Sequence, residues 1–349
     1  MRDKRRGAIL IVTLWILSIL SVLAASMAFR LSLELRLSRY YLDEVRVMAL
    51  AHAGLFRAQE LLSKDADDID TLFQCGILFP IGEKPSDYFK EVPIGEGAFS
   101  VAYEEDGKFF YGPSDEDRKI NLNTAGENVL TSVFLVTGGV KDPFAARRLA
   151  NAVIDWRDAD SASSMQQGAE DDYYGSLTNS YACADKPFRS VEELMLVRDM
   201  TPELFKKIEK VITIFGDPNG LKINLNTASP TVLEIIGLSV GMERDNAGRL
   251  AKRIVQYRAG ADGDAGTADD NIFTPSDVAS LEVRLPDITV LTQATLIPSF
   301  KNFFKSGSSY YRIRVTAGIQ GGSFRKALEA VVKKEVNKGH PPLVYFHRD

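Results

Sequence analysis

The chain has 349 residues, 45% hydrophobic and 26% charged, with a formal net charge of −5. That acidic balance argues against nonspecific nucleic-acid binding, which needs basic surface. Only three histidines occur (His52, His340 and His347), none in a triad or metal spacing, and no phosphate-binding loop or nucleophile elbow appears, so the pattern points away from catalysis.

Residues 7–29 read GAILIVTLWILSILSVLAASMAF without one charge, and MRDKRR before them carries four cations. A helix over residues 8–29 is about 33 Å long, enough to cross a bilayer core of about 30 Å. The basic flank predicts a cytoplasmic N-terminus and an exported remainder. The apolar run exceeds the core of a secretory signal, and no break follows it. Two readings stay open: a plain membrane anchor, and a pilin-like segment whose short basic leader is cut after Gly7 and before Ala8. No proline occurs before Pro80, so the helix is expected to continue. Leu33, Leu37, Tyr40 or Tyr41, Val45, Met48, Ala51, Leu55, Ala58 and Leu62 form one apolar stripe at spacings of three and four, expected to pack on the globular part. The acidic run Asp65, Asp67, Asp68 and Asp70 marks its exit loop.

Residues 71–113 hold two strand-like runs, GAFSVAYEE and KFFYG, separated by Asp106-Gly107, a hairpin signal. An internal repeat follows. KINLNTAGENVL begins at Lys119 and KINLNTASPTVL at Lys222. RRLANAVIDWRDAD (147–160) aligns with GRLAKRIVQYRAGAD (248–262), with Trp or Tyr in the same place. FRSVEELMLVRDM (188–200) parallels FTPSDVASLEVRL (273–285). Each unit reads as short helices, with Ser190 and Ser276 as caps, the INLN asparagines as helix caps and the Ile and Leu entering the core. From residue 309 the period changes to alternation: YYRIRVTAGIQ, a Gly321-Gly322 turn, FRKALEAVVKK and a closing PLVYFHR predict returning strands.

Between the repeats' helices lie two acidic loops. Loop one offers Asp155, Asp158, Asp160, Glu170, Asp171 and Asp172; loop two offers Asp262, Asp264, Asp269, Asp270 and Asn271. Such oxygen-rich sets suit Ca²⁺, although neither loop is an EF-hand; the alternative is a pair of solvated acidic turns. Cys75 and Cys183 either pair as a disulfide or remain two buried thiols.

The start, RRGAILIVTLWILSILSVLAASMAFRLSLELRLSRYYL, resembles a class III prepilin signal and, more narrowly, general secretion pathway protein K, a family of minor pseudopilins of the type II secretion system. It departs from most prepilins in having Ala8 after the cut, and Val12 where a Glu is usual. The missing Glu is characteristic of protein K and suits a tip subunit, because a carboxylate in lipid needs a partner. The resemblance covers essentially the whole chain. It implies an α+β fold: a long N-terminal transmembrane helix, and a pilin-like antiparallel sheet split by a helical insertion of two related helix-hairpin-helix-like (SAM-like) modules. The expected divisions are a leader (1–7), a transmembrane half-helix (8–29), an amphipathic helix (30–70), first strands (71–118), module one (119–217), module two (218–300) and closing strands (301–349). It further implies cleavage by prepilin peptidase, methylation of Ala8, bundling with other minor pseudopilins at the pseudopilus tip and contact with exported substrate or the outer-membrane channel. Residence is expected in the bacterial inner membrane with the globular part periplasmic. The family's calcium binding falls on loop one, through its DW-x-D-x-D…G-A-E-D-x-Y pattern. INLNTA before helices also resembles DNA-binding helix-hairpin-helix modules, with hairpins near Gly138-Gly139 and Gly241; the alternative function is a minor pilin of a DNA-uptake system.

Overall fold

The computed structural model describes residues 4–65, 69–105, 107–160, 162–163, 168–288, 293–319, 324–335 and 342–348. Helix α1 runs unbroken over Lys4–Lys64. It contains no proline and is rich in Leu, Ala, Arg and Glu, so nothing interrupts its hydrogen-bond ladder. Gly7 and Ala8 lie within its first turns. The side chains from Ile9 to Val45 include an almost continuous apolar surface that the body does not cover; Val12 is 56% exposed and Trp15 67%.

Only the last part of the expected stripe packs. Val47, Met48, Ala51, Leu55, Ala58 and Leu62 are buried against the sheet, whereas Leu33, Leu37, Tyr40, Tyr41 and Val45 stay exposed. The sheet covers about 24 Å of helix, so most of the upstream stripe lies beyond it, with Tyr40 in an edge contact on Phe324. Of the exit loop, Asp67 and Asp68 lie outside the described residues.

A short helix, α2 (Pro85–Phe89), precedes the sheet, which is antiparallel. Its central path joins β1 (Val92–Ile94), β2 (Gly97–Glu105), then β9 (Tyr310–Ile319), β10 (Arg325–Lys333) and β11 (Leu343–Arg348). The short strands β3 (Lys108–Tyr111) and β4 (Ser114–Asp115) pair with β2 and β9. Thus early strands and closing strands meet, with Val101 opposite Val315 and Ala330 opposite Ile313. Alternation turns Phe99, Val101, Tyr311, Ile313, Val315 and Leu328 toward α1. A Cβ on Gly54 would stand 2.6 Å from Val315 and 2.8 Å from Phe99, so glycine lets α1 sit this close. The β2–β3 hairpin forms with Gly107 at φ 78°; Asp106, the Gly321-Gly322 turn and His340 lie outside the described residues.

Between β4 and β9 stand the two modules. In the first, β5 (Ile120–Asn121) leads to α3 (Glu127–Val136) and α4 (Pro143–Arg157), then α5 (Asp171–Gly175) and α6 (Pro202–Ile208), and closes with β6 (Ile212–Thr213) parallel to β5. In the second, β7 (Ile223–Asn224), α7 (Pro230–Ser239), α8 (Arg244–Arg258), α9 (Pro275–Ala279) and α10 (Leu281–Arg284) end at β8 (Phe304–Lys305), parallel to β7. The repeat is therefore structural: each KINLNTA opens a module and its Ile-Asn pairs with that module's end. Ile120, Leu122, Ile223 and Leu225 enter one core shared by both modules.

The asparagines do not cap helices as expected. The caps are Gly126, Ser229 and Thr274, and Ser276 lies inside α9, while Ser190 precedes a 3₁₀ turn without a side-chain cap bond. Asn121 and Asn224 instead turn their carbonyls onto Asn123 and Asn226 backbone N–H groups, both at 2.9 Å. Asn123 clasps Phe188 and Asn226 clasps Phe273, each accepting that residue's N–H at 2.7 Å and donating to its carbonyl. A buried amide that closes a long loop suits Asn, which has both donor and acceptor. Asn226→Ala orphans the Phe273 N–H and carbonyl, and is expected to cost roughly 2–4 kcal/mol in urea unfolding; an unchanged midpoint would refute the clasp.

Three consecutive acids, Asp115-Glu116-Asp117, join the modules to the sheet. Asp115 accepts from Asn224 (3.1 Å), Ser308 (2.6 Å) and Thr227. Glu116 accepts from Arg312 on β9 (2.6 Å), Lys119 (2.9 Å) and Thr213 on β6 (2.6 Å). Asp117 accepts from Lys305 on β8 at 2.9 Å. Burial tends to raise the Glu116 carboxyl, but Lys119 and Arg312 beside it hold it down at about 2.

Candidate functional site

Loop one leaves the C-terminal end of α4. Trp156 is buried there, edge-on to Tyr174 at 5.2 Å and to Tyr181 at 6.1 Å. Arg157 donates to the Ala125 carbonyl at 2.6 Å, locking α4 to the end of the first KINLNTA. Arg258 makes the matching bond to Ala228 at 2.8 Å in module two. Arg198 donates to the Gly168 carbonyl at 3.1 Å and covers the Tyr173 ring. Gly168 lies against fully buried Asp155; a Cβ there would meet its carboxylate at 1.6 Å. The returning segment is fastened by Asp171, which accepts the Cys183 N–H at 2.7 Å.

These constraints converge carboxylates from separate segments. Ligand atoms of Asp158, Asp160 and Glu170 lie within 4.8 Å of one another, and so do those of Glu170, Cys183 and Asp185. Oxygens of Asp158, Glu170 and Asp185 are buried without a hydrogen-bond partner. Glu170 is 8% exposed, and burial together with the charges of Asp155, Asp158, Asp185 and Asp160 pushes it up to about 7. Asp158 is raised by burial and then by Asp160 and Asp155. Unpaired carboxylates crowded in low dielectric are costly to ionise together, and hard oxygen donors of this kind fit a divalent cation. Asp160 also accepts the Ala162 N–H at 2.8 Å. Asp172 is exposed and falls outside both clusters, as do Asp155 and Asp171. Asp185, by contrast, escaped the sequence reading because it lies beyond the acidic run; its only signal was a charge two residues after Cys183.

Loop two differs. Asp269 accepts from Ala261 and Asp262 N–H groups and from Thr267. The Thr267 hydroxyl and the Asp262 N–H hold its carboxyl at about 2. Asp262 accepts the Asp264 N–H, Asp270 the Gly266 N–H, and Asp264 pairs with Lys108. Asn271 donates to the Tyr257 carbonyl at 2.8 Å. Among the described residues its acids form no metal-sized cluster. Gln256 stands where Asp155 does in the repeat, so the negative charge behind loop one has no counterpart here. Loop two is thus a self-bonded turn.

The disulfide is not made. Both cysteines are free and buried, Cys75 against the Tyr111 carbonyl beside β3 and Cys183 against the Asp155 carbonyl in module one. The two hairpins that would meet DNA phosphates are acidic at the next helix. Asp142 already accepts the Phe144 N–H at the start of α4, and Glu243 and Asp245 stand at the start of α8. Anions there repel phosphate, where DNA-binding modules need free N–H groups.

Residues 120–217 match the family model described as type II secretion system protein K. Over 354 aligned residues the chain is 25% identical to type II secretion system protein K of Aeromonas hydrophila, covering 96% of this chain and 95% of that protein. It is 25% identical to the Pseudomonas aeruginosa protein K, over 67% of this chain and 68% of the relative. Among solved structures, the crystal structure of the GspK–GspI–GspJ complex from enterotoxigenic Escherichia coli gives a TM-score of 0.63 at 16% identity, covering 90% of this chain and 98% of the matched chain. A fold of this order of parts and sequence matches along nearly its full length agree: the chain carries the type II secretion system protein K domain over residues 120–217 and is similar to protein K along nearly its whole length.

Proposed function

We propose that this minor pseudopilin caps the pseudopilus tip, starts its assembly in the inner membrane and supports export of folded proteins across the outer membrane. The observation that carries this reading is the bare half of α1. Between Phe29 and Arg46 about 25 Å of helix extends beyond a bilayer-sized span, with Leu33, Leu37, Tyr41 and Val45 uncovered. That surface suits bundling with the helices of other minor pseudopilins, like those in the enterotoxigenic complex. Val12 places an apolar side chain where an acid would seek the terminal ammonium of a subunit above, and the bulky helical modules leave no room for such a subunit. Prepilin peptidase would cut after Gly7 and methylation would follow on Ala8, with the N-terminus cytoplasmic and the body periplasmic. Substrate or the outer-membrane channel would meet the modules.

Loop one would hold Ca²⁺ through Asp158, Asp160 and Glu170, the unpaired buried oxygens of Asp158 and Glu170 supporting the assignment. Such an ion would supply positive charge among the carboxylates of Asp158, Asp160 and Glu170. The test is a deletion strain complemented with wild-type protein or with the Asp158→Asn/Glu170→Gln double variant. Exoproteins in the medium and uptake of labelled DNA are measured in the same cultures. Loss of exoproteins in the deletion with normal uptake is expected, with partial loss in the double variant. Normal secretion with impaired uptake would overturn the assignment in favour of the DNA-uptake alternative.

A further inference from the structure

The second cluster has a composition that a calcium site does not need. Glu170 and Asp185 bring carboxylates to Cys183, whose sulfur lies within 4.8 Å of both ligand oxygens. Calcium takes oxygen donors, whereas a thiolate is a soft ligand that favours zinc-like ions. Glu170 is more than nine-tenths buried and keeps an oxygen without a partner, and a buried oxygen of Asp185 is likewise unpartnered. The backbone presents the thiol on purpose-built geometry: Asp171 fixes the Cys183 N–H at 2.7 Å, and the Asp155 carbonyl stands 3.6 Å from its sulfur.

We propose that Glu170, Cys183 and Asp185 form a mixed carboxylate–thiolate site for a thiophilic divalent cation of the Zn²⁺ class, beside the oxygen cluster of Asp158 and Asp160 and sharing Glu170 with it. This rests on the cation reading of loop one and specifies which ion its inner half selects. Two zinc bonds of about 2.0–2.3 Å reach across roughly 4 Å, so a small closure of the loop brings the three ligand atoms onto one ion. On binding, a sulfur–metal bond replaces the S–H bond, and the thiol proton leaves to solvent. A coordinated thiol deprotonates outright, because the cation favours the thiolate. Affinity therefore rises with pH.

The test uses the full-length chain in detergent micelles with Cd²⁺ alone as the spectroscopic probe and Zn²⁺ alone as competitor. Expected is a thiolate-to-cadmium charge-transfer band saturating at one equivalent, lost in Cys183→Ser, kept in Cys75→Ser and bleached by Zn²⁺. Asp185→Asn should weaken Zn²⁺ binding at least about tenfold, the loss seen even for an outer-shell partner. Should Cys183→Ser not fold, alkylation of the wild-type chain decides: Zn²⁺ should slow modification of Cys183, read by mass spectrometry, and leave Cys75 unchanged. Absence of the band, its survival in Cys183→Ser, or alkylation indifferent to Zn²⁺ overturns the proposal. A Ca²⁺-induced rise in melting temperature without a cadmium band sinks the thiolate site alone. A cadmium band with no response to Ca²⁺ supports the thiolate site and sinks the calcium assignment instead.

Discussion

Glu116→Ala is expected to destabilise the protein by about 3–5 kcal/mol, because it removes one partner of a buried charge pair and strands the other. Glu116 is fully buried, and Arg312 and Lys119 point into it from the sheet and from the start of module one. Thr213, at the end of module one, loses its acceptor as well. Urea unfolding followed by fluorescence measures the cost, with Trp156 reporting on the modules. A shift below about 1 kcal/mol would mean that the modules are held by their apolar contacts alone. The same residue predicts an acid limb. Its folded carboxyl titrates at about 2 against an ordinary 4.5. A depressed acid contributes stability that is complete above pH 4.5 and is lost as pH falls toward 2. Glu116→Gln should flatten that limb. Asp70 and Asp117 act in the opposite sense. Burial raises each to about 6 in spite of Lys334 and Lys305, so their penalty grows as pH rises from about 4 through 6. The wild-type profile should therefore climb from pH 2 to a maximum near pH 4 and fall as pH rises through 6, where Asp70, Asp117 and Glu170 ionise against their burial.

Trp156→Ala is expected to cost a similar amount, about 3–5 kcal/mol for a buried large aromatic, and also to abolish the cation binding proposed for loop one. Trp156 is 3% exposed and forms with Tyr174 and Tyr181 the wall behind loop one. Its removal leaves a cavity under Asp155 and Asp158, whose placement depends on the last turn of α4. Trp156→Phe retains most of the wall and should retain the response to Ca²⁺. Thermal unfolding with and without Ca²⁺ distinguishes the two variants. If Trp156→Ala keeps the wild-type Ca²⁺ response, the wall does not position the carboxylates.

Much of the architecture is local information and is legible in the residues. The unbroken α1 follows from composition and the absence of proline. The β2–β3 hairpin follows from alternation around Asp106-Gly107, and the two modules follow from KINLNTA repeated at Lys119 and Lys222. The burial of Ile120, Leu122, Ile223 and Leu225 follows from their apolar character once the repeat is seen. Loop one's acids are legible as a candidate for the same reason: like charges gathered over a short stretch need an explanation.

What the residues in order do not contain is the outcome of competition among distant partners. Periodicity marks Leu33 and Leu37 as equivalent to Leu55 and Leu62, but only the reach of the sheet decides that the first pair stays bare. Both acidic loops have the composition of a calcium site. Loop two satisfies its carboxylates with its own N–H groups, whereas loop one folds Asp158, Glu170 and Asp185 against one another with oxygens unpaired. Asparagines suited to capping are drawn instead to Phe188 and Phe273, more than forty residues away. Asp115-Glu116-Asp117, an ordinary charged run by sequence, becomes the joint of the molecule because β6, β8 and β9 arrive there together. Propensity and pattern act over a few residues and so determine the elements. Hydrogen-bond satisfaction and charge pairing act through space, and only the tertiary structure decides them.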